Sequence, residues 1–377
     1  MRSNLLATSF LFALTASLAA QEVRAGPWQT AGKIPVGWVV HNTKYYHVQS
    51  QCGLDKAKRL GEHMEVMNVV YRKMFKPDKD GAKQYTIKLF KDEPTYHSYG
   101  GPQGAAAYYS WTAREMVCYD SGKWSDEEKT EGAVTGPETA RDRLRRRRSK
   151  FMEMMTMDLL GTAAHEGWHQ YFDWYVGSKV ELPSWIDEGM GDYFYCAAPQ
   201  RQKGAKKGAA EVGRMNDGRL WVIQAAKRQN LMVPLQTFVS MLQSAYYTNP
   251  DVCYAQGWVF CQFLLHGEGG KYTKIIPNYV RLIRSDSNWP VVTEKAFKGI
   301  DFAVMDTEFK AFIDTLKPSI AEPEEEEEEA GEGEAVPPAV PPVVPPVVPP
   351  AVPPAVPPPP PPAGGGTGPG GTGPGGG

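Results

Sequence analysis

Along the first 320 residues the spacing of apolar positions changes several times, and beyond them it loses all period. Val39-Val40 and Tyr45-Tyr46-His47-Val48 read as two strands joined by a turn at Asn42. Asp55 to Phe75 carries apolar residues three and four apart, the spacing of one helix face, and predicts a helix. Tyr85-Thr86-Ile87-Lys88-Leu89-Phe90 alternates like a half-buried strand, Gly100-Gly101-Pro102 interrupts the pattern, and Ala105 to Tyr119 holds further strands ending in Glu115-Met116-Val117-Cys118-Tyr119. A long apolar run from Met152 to Val176 predicts another helix. After Glu188 the periodicity is mostly helical, with helices expected over Gly218 to Gln229, around Leu235 to Ser244, from Tyr254 through Leu265, and once or twice between Thr293 and Leu316. Alternation first and helices afterwards predict an α+β fold: an N-terminal mixed sheet and helix subdomain over 27–150, a helical subdomain over 151–318, and a cleft between them.

The two ends belong to neither subdomain. Arg2, an apolar stretch from Leu5 to Leu18 and the small residues Ser17 and Ala19 predict a secretory signal peptide over 1–20, and with it export to the periplasm, cell surface or medium. The stretch is shorter than the roughly 20 residues a membrane span needs, and no later segment qualifies, so no stable span is expected. From 319 to 377 the composition shifts to nine glutamates between Glu322 and Glu334, then six Ala/Val-Val-Pro-Pro tetrapeptides from 335 to 358, then glycine. This tail has no face to pack. It is expected to be disordered, with its proline part extended at about 3.1 Å per residue, and to serve solubility or be displayed to a partner.

The tail also masks the charge of the rest, because taking its nine glutamates from the formal net charge of −2 leaves +7. Part of that excess lies in a polar insert, Ser121 to Lys150, that ends in an arginine run between Arg141 and Arg148 and reads as a surface loop. No aromatics interleave with those arginines and no nucleic-acid motif is present, so nucleic acid is not an expected partner. Five cysteines suit an oxidising compartment but cannot all pair within one chain, and none is spaced as a metal site.

The chemistry concentrates in His165-Glu166-Gly167-Trp168-His169, inside the apolar run. Residues four apart share a helix face, so the two imidazoles can meet one metal ion while Glu166 lies beside its open position. Catalytic zinc usually takes three protein ligands and leaves the fourth position to water. Glu188, in Leu182-Pro183-Ser184-Trp185-Ile186-Asp187-Glu188-Gly189, supplies the third after the 18 positions from 170 to 187.

This pattern resembles the gluzincin metallopeptidases, whose signature is H-E-x-x-H, a spacer of about this length, and a ligand Glu opening a second helix; the wording around Glu188 is closest to uncharacterised bacterial members of that clan. The resemblance covers mainly 152–266. It implies a zincin-like fold, zinc held by His165, His169 and Glu188, Glu166 as general base, and a peptide or protein substrate. It also implies that Asp192, one turn after Glu188, accepts a hydrogen bond from the first ligand histidine, a role for which Asp187 and Asp173 compete. In the aminopeptidase branch a tyrosine opening a Tyr-x-x-Gly helix steadies the oxyanion; Tyr254 with Gly257 fits, and Tyr246 and Tyr247 lie in the same segment. The branch's Gly-x-Met-Glu-Asn motif is absent, so a preference for free N-termini is not implied. The strand over 115–119 is expected to border the cleft and pair with an extended substrate. Two other readings stand beside the secreted zinc peptidase: a non-catalytic scaffold of the same fold, and a zinc hydrolase of non-peptide substrates.

Deleting residues 321 to 377 is expected to leave the thermal midpoint unchanged, because the segment offers no apolar face to the core. Differential scanning calorimetry of the shortened chain checks this, and a fall of several degrees would mean that the tail packs.

Overall fold

A computed structural model describes residues 21–22, 33–77, 84–124, 158–176, 180–199 and 210–319. The expected signal peptide, most of the basic insert and the acidic and proline-rich tail lie outside the described residues. Within these residues the fold is α+β, with a five-stranded mixed sheet and eleven α-helices.

The sheet comprises β1 (Val39–Asn42), β2 (Tyr46–Ser50), β3 (Tyr85–Phe90), β4 (Ala107–Ser110) and β5 (Glu115–Tyr119), in spatial order β1-β2-β3-β5-β4. The β2–β3 and β3–β5 pairs are parallel; β1–β2 and β4–β5 are antiparallel. The expectation that residues 115–119 form the edge is therefore corrected. That strand lies inside the sheet, and Ala107–Ser110 is the edge on its side, with Val39–Asn42 the edge opposite. The burial pattern gives the reason, since Glu115 to Cys118 are buried on both faces while Ala107 to Ser110 alternate between buried and half-buried.

Helix α1 (Leu54–Met74) crosses one face of the sheet, burying Ala57, Leu60, Met64, Met67 and Tyr71 at helical spacing. Between β3 and β4, α2 (Glu93–Tyr99) begins where the Asp92 side chain accepts the Thr95 N–H and ends at Gly100, whose φ of 114° suits glycine. The apolar run forms α3 (Leu159–Val176), and α4 (Ser184–Tyr195) follows. Asp158 starts α3, its carboxylate accepting the Gly161 N–H at 2.6 Å.

Beyond α4 come α5 (Asp217–Arg228), two single turns α6 (Leu235–Phe238) and α7 (Gln243–Tyr246), and α8 (Pro250–His266). The helix expected around 235–244 is thus divided, with Leu242 turned to solvent between the turns. Every residue of α8 from Val252 to Leu264 is buried, as in a helix enclosed on all sides. It starts at Pro250, so Tyr254 sits inside it rather than at its opening. Three helices, α9 (Ile275–Ile283), α10 (Trp289–Ala296) and α11 (Phe302–Thr315), close the chain.

One continuous hydrophobic cluster runs from Val48, Ile87 and Met116 of the sheet through Trp168 of α3 to Phe260 and Phe309. Polar ties cross it. The Tyr71 hydroxyl donates to the Ala164 carbonyl at 2.6 Å and the Gln170 amide to the Thr86 carbonyl at 3.0 Å, which fixes α3 against both α1 and the sheet. All five cysteines are free thiols, and no helix among the described residues is long and apolar enough to cross a membrane.

Tyr71→Phe removes one buried hydrogen bond next to His165 and is expected to cost about 1 kcal/mol, a drop of about 2–4 °C in the midpoint for a domain of this size. Thermal unfolding measures it; an unchanged midpoint would show that the phenol does not hold α3.

Candidate metal centre

Two helices make the site, and they meet face to face. On α3 the four-residue spacing brings His165 and His169 together, with ring centroids 5.0 Å apart. On α4, Asp187, Glu188 and Asp192 point back at them. The indole N–H of Trp168 donates to the Asp187 carbonyl at 3.0 Å and sets the register between the helices. Close approach is possible because α4 carries glycines where it needs them: a Cβ on Gly191 would lie 2.7 Å from the His165 ring, and one on Gly189 would lie 2.6 Å from the Gly257 carbonyl oxygen of α8.

Each imidazole has its own carboxylate. Nδ1 of His165 lies 3.1 Å from Asp192 Oδ1, and Nδ1 of His169 lies 2.9 Å from Asp187 Oδ1. With Nδ1 of each ring on its own aspartate, both Nε2 atoms face Glu188, whose Oε2 is 3.1 Å from one and 3.6 Å from the other. The three ligand atoms lie within 4.8 Å of one another. This donor set fits a divalent metal: two nitrogens and one oxygen converge, and both histidines have the carboxylate backing that metal-bound imidazoles usually show. The expected Asp192 contact is present. Asp187, considered for that same role on His165, serves His169 instead, and Asp173 turns away to accept the Tyr109 hydroxyl at 2.6 Å.

Electrostatics follow from the crowding. Burial alone would lower the His165 pKa, but the hydrogen bonds that its ring donates to Asp192 and Glu188 overcome it and raise it to about 9. Burial would raise the Glu188 pKa, and the two imidazoles hold it well below the carboxylate range instead. Glu166 differs. Burial pushes its pKa up and Glu188 adds to the rise, while the histidines and the backbone N–H of Tyr109 oppose it. That N–H belongs to edge strand β4, so Glu166 sits between the ligand cluster and the sheet edge.

The tyrosine segment closes the other side. Tyr247 donates its hydroxyl to Glu188 Oε1 at 2.7 Å. Tyr254 reaches the cluster through Tyr247, its ring centroid 6.2 Å from that of Tyr247. Tyr246 is fully buried with its hydroxyl against Gly257, a core position. Burial first, and Glu188 second, raise the pKa values of Tyr247 and Tyr254 well above the ordinary phenol value, so both remain O–H donors.

One group has no counterpart in the sequence reading. Arg219, on α5, donates from Nε to Asp192 Oδ2 at 2.7 Å, and its guanidinium carbon lies 4.9 Å from the Tyr254 ring centroid. Burial would raise the Asp192 pKa; Arg219 and His165 together hold it below its usual value. Nothing in Asp217-Gly218-Arg219-Leu220 distinguishes this arginine from a solvated helix residue.

No protein-family model matches the chain, and no curated protein matches it either.

Proposed function

We propose that the protein is a zinc-dependent peptide hydrolase of gluzincin type, zincin-like in fold and acting after export. The observation that carries this reading is Glu166, a buried carboxylate with a raised pKa held beside a His-His-Glu cluster, close to Tyr109 of the edge strand. A purely structural metal site has no use for a base at that position, which weighs against the scaffold reading. The edge strand favours peptides over other substrates, because its backbone can pair with an extended chain.

His165, His169 and Glu188 would hold the ion, with Asp192 and Asp187 fixing the imidazole tautomers. Zinc supplies, when bound, a Lewis acid that brings the pKa of a water towards neutrality. Glu166 takes the proton from the attacking water and returns it to the leaving amine; its burial keeps it more basic than an exposed glutamate. A phenol donates to the oxyanion that forms on attack, before the amine leaves. The resemblance assigns this to Tyr254, whereas the contact with Glu188 favours Tyr247, with Tyr254 behind it.

The purified protein is expected to bind one zinc per chain, and Glu166→Gln to keep that metal while losing about 10²- to 10⁴-fold in peptide turnover. Metal analysis with a peptide-library digest checks both; zinc lost from the variant, or turnover retained, would refute the assignment of Glu166 as the base.

Tyr247→Phe is expected to lower kcat by about 10²- to 10³-fold with KM unchanged, and Tyr254→Phe to lower it less. Steady-state kinetics of both variants decide between them, and a larger loss at 254 would return the oxyanion role to Tyr254.

A further inference from the structure

Arg219 makes two contacts that run to opposite sides of the ligand cluster. Its Nε donates to Asp192 Oδ2 at 2.7 Å, and the other oxygen of that carboxylate lies 3.1 Å from Nδ1 of His165. The face of the same guanidinium lies against the Tyr254 ring, and that ring packs against the ring of Tyr247, centroids 6.2 Å apart, whose hydroxyl donates to Glu188 Oε1 at 2.7 Å. The chain of contacts from His165 through Asp192, Arg219, Tyr254 and Tyr247 to Glu188 therefore closes on itself at the cluster, where His165 Nε2 and Glu188 Oε2 are 3.1 Å apart.

We propose that Arg219 is a positioning residue of the metal centre, one guanidinium that holds the orienting carboxylate of the first ligand and the tyrosine pair of the third ligand in a fixed relation. The proposal rests on the reading of His165, His169 and Glu188 as metal ligands. An arginine suits the task where a lysine does not, because its planar fork can donate in the plane while its face lies on an aromatic ring. The residue is itself held. Asn216 caps α5 by accepting the Arg219 backbone N–H at 3.1 Å, which fixes the turn from which the side chain departs.

A merely structural role predicts a different outcome. If Arg219 only neutralised buried Asp192, a lysine would serve, and any loss would appear as lower stability with an unchanged centre in the folded protein.

The test measures zinc affinity by competition with a chromophoric chelator, the visible absorption of the cobalt(II)-loaded protein, kcat and KM, and the thermal midpoint, for the wild-type chain, Arg219→Lys, Asp192→Asn and the double variant. Arg219→Lys is expected to bind zinc about 10- to 100-fold more weakly, to shift the cobalt absorption, and to lose kcat more than KM. The double variant is expected to lose less affinity than the product of the two single losses, because both changes act on His165 through the same carboxylate. A folded Arg219→Lys with wild-type zinc affinity and an unaltered cobalt spectrum would overturn the proposal, whatever its midpoint.

Should Arg219→Lys fail to fold, Arg219→Met combined with Asp192→Asn leaves no unpaired buried charge and is compared with Asp192→Asn alone; a further loss of zinc affinity and a further shift of the cobalt absorption support the proposal, and values equal to those of Asp192→Asn overturn it. Wild-type protein that binds zinc but cleaves no peptide removes the proposed activity while leaving the role of Arg219 standing. Wild-type protein that binds no zinc overturns both.

Discussion

Two carboxylate–imidazole contacts between α3 and α4, Asp192 to His165 and Asp187 to His169, are the constraint on which the rest of the centre depends. An imidazole buried without a partner at Nδ1 could adopt either tautomer, and its Nε2 lone pair would not be committed to the cluster. The two aspartates remove that freedom, but they bring negative charge into a poorly solvated region, where unpaired charge is costly. The surroundings answer this locally. Asp192 is met by Arg219, Asp187 lies in the first turn of α4 where the helix dipole favours an anion, and Glu188 is shared between the histidines and Tyr247. Much of the architecture around α4 follows from placing three carboxylates against two histidines.

The elements that the sequence made legible are those whose cause is local. The 3.6-residue period of Leu54–Met74 and the alternation of Tyr85–Phe90 are visible in the residues themselves, and so is the four-residue spacing of His165 and His169. The Asp192 contact was legible through the resemblance, which placed a carboxylate one turn after Glu188 against the first histidine. Order within the sheet was not. Which of the strands at 107–110 and 115–119 is outermost depends on how their hairpin docks on β3, and the clue, alternating against continuous burial, spans only four or five residues. Arg219 and Tyr247 belong to the same class: their contacts join residues 27 and 59 positions apart, and neither has a local pattern that marks it. Asp187 was weighed for the wrong histidine, since the choice depends on the rotation of α4 about its own axis.

The sheet and the helical region share one core, so the centre is braced from both sides. Tyr71 reaches from α1 to the carbonyl just before His165, and Gln170 reaches from just after His169 to β3. A helix pinned before and after its histidine pair cannot easily rotate one histidine without the other. That rigidity is what a preorganised site requires, since small displacements of a base or a ligand cost large factors in rate.

The two glycines of α4 bear on how this protein could be engineered. Glycine inside a helix is ordinarily a weakness, about 1 kcal/mol worse than alanine, and a search for thermostability would replace it first. Here the substitution would act in reverse. A methyl group at 191 would press on the His165 ring, and one at 189 would push α4 off α8. Selection for heat resistance therefore has little room in this helix, and stabilising changes that preserve the centre have to be sought elsewhere, among the exposed faces of α9, α10 and α11.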